Sequence, residues 1–236
     1  MKTNILIHIT LLLVAGMLLL AESCTIYMPQ PAAIPLMNER NEVQISGGFT
    51  SLGGLNGSVA YAPGNHVALQ AYGSMHTTEI RYFQGSLGYY TRSKSDLNFE
   101  IFGGLAFGNG SEWGLDNMEN FYVDYLLYFA QVNFGQTNLG SAHIDYGFGL
   151  KSGIFDAIKS YNFNSVPVNY SSNTINALLI EPQAFIRMGG KKFKVGLQVN
   201  GTWISSLDRY ETLILYYPVN LGISLNYRIA PSLKKK

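Results

Sequence analysis

Cysteine, charge and long apolar runs are all scarce in this 236-residue chain, and each shortage excludes something. A single cysteine, Cys24, rules out an intramolecular disulfide and any multi-cysteine metal centre. Charged residues make up 13% of the sequence, against roughly 25% in an ordinary soluble domain. A surface facing water needs more charge than this to stay monodisperse. The net charge of +1 leaves no electrostatic footprint for nucleic acid. The basic run Lys234-Lys235-Lys236 is short and reads as a solvated tail. The one long apolar run, Ile5 to Leu20, falls short of the roughly 20 residues a membrane-spanning helix requires. No phosphate-cradling glycine loop, His-rich metal motif or nucleotide fingerprint occurs, so no cofactor or metal is expected.

What the chain does have is a two-residue period. From Lys191 to Trp203, Phe193, Val195, Leu197, Val199 and Trp203 fall on one face of a strand, and Lys192, Lys194, Gln198, Asn200 and Thr202 on the other. Successive strand residues point to opposite sides, so such a stretch is a ribbon with one apolar and one polar face. The same alternation recurs at Val43–Phe49, Leu55–Tyr61, Val67–Met75, Phe83–Tyr89, Leu97–Phe107, Tyr128–Phe134, Ile144–Leu150, Leu178–Met188 and Leu213–Tyr227. This predicts an all-β chain, a single up-and-down antiparallel barrel of about ten strands over 41–229, with eight or twelve as the alternatives. A basic tail follows at 230–236.

The N-terminus reads as an export leader over 1–23, basic then apolar then small. Leu20-Ala21-Glu22-Ser23-Cys24 resembles a bacterial lipobox, with Glu22 departing from the usual small residue; the resemblance implies a lipidated Cys24. Ordinary cleavage after Ser23 is the alternative. Residues 24–40 contain Pro29, Pro31 and Pro35 without alternation and read as a periplasmic tether, or as a segment partly entering the lumen.

The long connections, Asn109–Asn120, Ser152–Thr174 and Ser205–Thr212, all follow odd-numbered strands. Outer-membrane barrels have short periplasmic turns and longer extracellular loops, so a periplasmic N-terminus would send these loops outward. Trp113, Tyr161, Phe163, Tyr170 and Tyr210 lie in those connections and are the candidates for surface recognition.

Alternation does not say which face is inside. A soluble ligand-binding barrel tethered at Cys24 would bury the apolar face. Here the polar faces carry Gly, Ser, Gln, Asn, Thr and Tyr instead of the Lys and Glu of a soluble surface. Tyr61, Tyr89, Tyr122, Trp203, Tyr217 and Tyr227 also sit towards strand ends, as interfacial aromatics do. The apolar face is therefore assigned to lipid. The lumen then holds Glu42, Glu100, Asp145 and Glu181 with Lys151, Arg187, Lys194 and Arg228, balanced in sign. In a narrow barrel these groups neutralise one another in a packed polar core, the alternative being a gated small-solute path.

The leader, the alternating strands and the loop asymmetry together resemble the small outer-membrane β-barrel family of Gram-negative bacteria. Asn220 to Tyr227 adds a final strand similar to the signal read by barrel-insertion machinery, although residues follow the aromatic. The resemblance implies outer-membrane lipid and that machinery as partners, a monomer, and a surface ligand or protein contacted by the loops. It implies a structural or surface-recognition role without catalysis, a narrow transport barrel and a lipid-modifying enzyme being the other classes. For the enzyme, Ser74 and His76 with Glu79, or Ser141 and His143, are the only Ser–His pairs worth weighing. Both fall on the lumenal face, where hydrogen-bonding polar residues are the ordinary reading. The acidic stretch Glu112 to Glu119 lacks the ligand spacing of a calcium loop.

Overall fold

Alternating apolar and polar side chains give strands, and here the strands close on themselves. The computed structural model describes residues 27–31, 33–76, 80–93, 97–113, 119–163, 166–167, 173–207, 216 and 218–231. The strands are β1 (Val43–Thr50), β2 (Gly54–Tyr61), β3 (Val67–His76), β4 (Arg81–Arg92), β5 (Leu97–Trp113), β6 (Glu119–Leu139), β7 (Ile144–Phe163), β8 (Val166–Pro167), β9 (Asn173–Gly189), β10 (Phe193–Gly201), β11 (Trp203–Ser206) and β12 (Val219–Ile229). All strand pairings are antiparallel: β1 to β7 each pair with the next strand, β9 pairs with β7, β10 and β11, β10 pairs with β12, and β12 pairs with β1 from Val43↔Ile229 to Thr50↔Gly222, which closes the sheet. β8 only extends β7, where Phe163 pairs with Val166. β10 and β11 are one strand, since Asn200↔Gln183 and Trp203↔Ile180 keep the same register on β9. The break falls opposite Pro182, which has no N–H to give to a neighbouring strand. The result is a ten-stranded up-and-down barrel.

The wall is uneven. β1 to β4 span 8 to 12 residues, whereas β5, β6, β7 and β9 span 17 to 21. One rim, the turn rim, carries the compact connections between β2 and β3, β6 and β7, and β9 and β10. From the other rim β5–β6 and β7–β9 rise as paired ribbons, Trp113↔Asn120 and Lys159↔Asn173 among their last pairs. Much of the two connections expected as loops at Asn109–Asn120 and Ser152–Thr174 is thus strand: a hairpin goes on pairing its backbone after the alternation of its side chains has ended.

Outside, the wall is apolar. Phe49 is 68% exposed, and Leu197 and Ile223 each 56%, with Leu105, Phe107, Phe148 and Ile154 in the same belt. Tyr61, Tyr89, Tyr146 and Tyr227 ring its turn-rim edge. Its opposite edge on the long side is a polar row in cross-strand register, Arg81↔Asn109↔Asp124, with Asp156 beside it. Between those edges the described strands present no charge outward. Monomeric soluble proteins rarely expose apolar patches beyond a few hundred Å², so this belt requires a nonaqueous surrounding.

Candidate functional site

The inside of the barrel is occupied by the chain's own N-terminal segment. Residues 27–31 and 33–37 are buried although they belong to no strand. Three prolines leave this segment short of backbone donors, so its carbonyls dominate what it offers. The lumen wall answers with donors. Gln70 Nε2 and Gln131 Nε2 both donate to the Ala33 carbonyl, at 2.7 and 3.1 Å. Arg187 donates to the Ile34 carbonyl at 2.8 Å, its guanidinium stacked 3.8 Å above the Phe185 ring. Asn98 and Arg228 donate to the Leu36 carbonyl, and Asn220 to that of Pro29 at 2.8 Å. The segment's own N–H groups find carboxylates: Met37 donates to Glu100 at 2.7 Å, and Asn38 to Glu42 at 2.8 Å. Leu36 takes φ 53°, a left-handed bend rare outside glycine. Two glycines in the wall make room for the segment. A side-chain carbon at Gly135 would lie 2.6 Å from Leu36 Cδ1, and one at Gly149 2.8 Å from Ile34 Cδ1.

Glu181 is the hub. Its Oε1 accepts from the Tyr27 hydroxyl at 2.9 Å, the Gln30 N–H at 3.3 Å and the Thr202 hydroxyl at 3.0 Å. Its Oε2 lies 3.0 Å from Lys151 Nζ, both side chains being essentially inaccessible. Lys151 in turn lies 5.6 Å from the centres of the Tyr82 and Phe129 rings. Tyr27 packs edge-on against Phe155 at 5.0 Å and Tyr125 at 5.8 Å.

All eight charged residues assigned to the lumen are buried. Six form ion pairs: Lys151 with Glu181, Lys194 with Asp145, and Arg228 with Glu42 at 2.9 Å. Glu100 and Arg187 instead serve the backbone of the N-terminal segment. The lumen is not polar throughout, however. Towards the ribbons it becomes an aromatic and aliphatic cluster of Tyr82, Tyr125, Leu127, Phe129, Phe155 and Leu179. That cluster was missed because apolar residues on both faces of β6, β7 and β9 erase the alternation locally.

The segment's course is monotonic. Met37 packs with Ala68 near the turn rim, Ala33 meets Gln70, and Gln30 Oε1 accepts from the Tyr72 and Ser74 hydroxyls. Met28 packs with Ile80 and Leu52, beyond the ends of β3 and β1. Tyr27 makes a parallel bridge with Tyr216, just before β12. Residues 27–31 and 33–37 therefore lie inside the wall. Tyr27, the described N-terminal end, lies at the rim from which the two ribbons rise. A ladder of lumenal donors holds the carbonyls of the segment along the height of the wall.

Other expectations fall elsewhere. Ser74 gives its hydroxyl to Gln30, not to His76, whose ring fills the space over Gly54; Glu79 lies outside the described residues. Ser141 and His143 stand in the β6–β7 turn, where His143 has φ 46°. Trp113, Tyr161 and Phe163 occupy the ribbon strands, paired with Asn120, Phe121 and Glu119. Tyr170, Tyr210 and Cys24 lie outside the described residues.

No protein-family model matches the sequence, and no curated protein matches it. Among solved structures, the chain is similar to the crystal structure of the Acinetobacter baumannii outer membrane protein Omp33, at 9% identity and a TM-score of 0.34, over 80% of this chain and 97% of that one.

Proposed function

We propose that this chain is an outer-membrane barrel lipoprotein, closed by its own N-terminal segment, which holds the β5–β6 and β7–β9 ribbons off the membrane as a recognition surface. The observation that carries the reading is the inversion of the wall: an uncharged apolar belt outside, and ion pairs and amides inside. A charge on a lipid-facing position costs about 2–4 kcal/mol at the bilayer midplane, which accounts for the empty charge record of the belt. A lumen filled from Met37 to Tyr27 supports structure and display over transport. The ribbon strands carry Trp113, Tyr161 and Phe163 beyond the charged edge of the belt, where a partner would meet them.

Two measurements test this reading. The unboiled protein should migrate faster on a gel than the boiled one and should stay in membranes after carbonate extraction. In planar bilayers it should insert without steady conductance. Release by carbonate would overturn the membrane assignment, and sustained channel currents would favour the transport reading. Mass spectrometry of the mature N-terminus tests the acyl group on Cys24.

A further inference from the structure

We infer that the chain is threaded through its own barrel. It enters at the turn rim and leaves at the ribbon rim, so the mature N-terminus and the ribbons face the same side of the membrane. This rests on the membrane-barrel reading above and adds the direction of the N-terminal segment to it.

The ladder of contacts fixes the direction. At the turn rim the Asn41 N–H donates to the Ala62 carbonyl at 2.7 Å, so the chain is anchored where β1 begins. Along β3 the partners then climb from Ala68 through Gln70 and Tyr72 to Ser74 as the segment runs back from Met37 to Gln30. Asn220, which donates its amide N–H to the Pro29 carbonyl, accepts a hydrogen bond from Ser51 in the β1–β2 turn. Leu52 of that turn packs on Met28. By Met28 the chain has therefore crossed the full height of the short side of the wall. Three Cα-to-Cα steps separate Tyr27 from Cys24, a reach of at most about 11 Å at 3.3–3.6 Å per step. That is too short for a return through the lumen.

The test places a site for a sequence-specific protease at one of three positions in the full-length chain: between Thr25 and Ile26, within 114–118, or within the Gly140–His143 turn. Protease is added to intact cells. Threading requires the first two variants to share one fate, both cut or both protected, and the third to show the opposite. An N-terminal site that follows the turn site overturns the inference. Equal cutting of all three with membranes intact overturns the membrane-barrel reading instead. A second measurement does not depend on the insertions. Met28→Cys with Leu52→Cys should form a disulfide, seen as a mobility shift lost on reduction, and Met28→Cys with Ser141→Cys should not. A bond only in the second pair contradicts threading.

Discussion

Glu181 shows at the scale of one residue why a buried carboxylate is kept in a barrel. It lies inside the wall, paired with Lys151, and it gathers Tyr27, Gln30 and Thr202 onto one oxygen. Removing one member of a buried ion pair strands its partner, at a cost of about 3–5 kcal/mol. Glu181→Gln should therefore lower stability by about that amount, measured by denaturant unfolding in lipid vesicles. Combining it with Lys151→Met should restore most of the loss, since no charge is then left unpaired. A double variant as unstable as the single one would mean that the hydrogen bonds to Tyr27 and Thr202, not the charge pair, hold the hub. On the outer face the same logic runs in reverse. Leu105→Arg puts a charge on the belt and should cost about 2–4 kcal/mol if the site lies near the midplane. In a water-facing wall the same change would be nearly neutral, so the unfolding midpoint of this variant discriminates.

At the scale of elements, the strands and their faces were legible in the sequence, and the segment inside them was not. β10 reads directly from Phe193 to Gly201 because one face meets lipid and the other meets the lumen, and nothing blurs the two. The lumenal charges were legible for the same reason, since Lys151, Glu181 and Lys194 each fall on the polar parity of their strand. The occupancy of the lumen depends instead on distant matches: Gln70, Gln131, Asn98 and Asn220 are ordinary polar residues until a carbonyl arrives opposite them. Pro29, Pro31 and Pro35 signalled an extended segment and gave no sign of where it would lie. The ribbons were hidden too, because β5 and β6 lose their alternation above Asn109 and Asp124 while their backbones go on pairing.

Two expectations belong to these elements. Replacing residues 29–37 with a glycine–serine stretch of equal length removes Ile34, Leu36 and Met37 from the lumen. That variant should show stepwise conductance in planar bilayers where the parent is silent. A silent variant that still inserts would show that the wall closes on itself without the segment. Shortening the β5–β6 ribbon by deleting 111–122 should leave the heat-dependent gel shift intact, because the belt ends at Asn109 and Asp124. Loss of the shift would make the ribbon part of the barrel's stability.

At the scale of the whole molecule, the account is one of inversion. The chain builds a closed wall with an uncharged apolar belt outside and buried ion pairs and amides inside, many of them against its own N-terminal segment. Few charges, many glycines and many tyrosines follow from that arrangement: lipid tolerates no charge, close packing around a threaded segment needs small residues at Gly135 and Gly149, and an interface needs rings with polar tips. A nitroxide scan along Phe193–Gly201 in reconstituted vesicles tests the inversion most directly. Collisions with lipid-soluble oxygen should peak at Phe193, Val195, Leu197 and Val199 and fall at Lys194, Gln198 and Asn200. A water-soluble nickel chelate colliding freely at Val195, Leu197 and Val199 would contradict it.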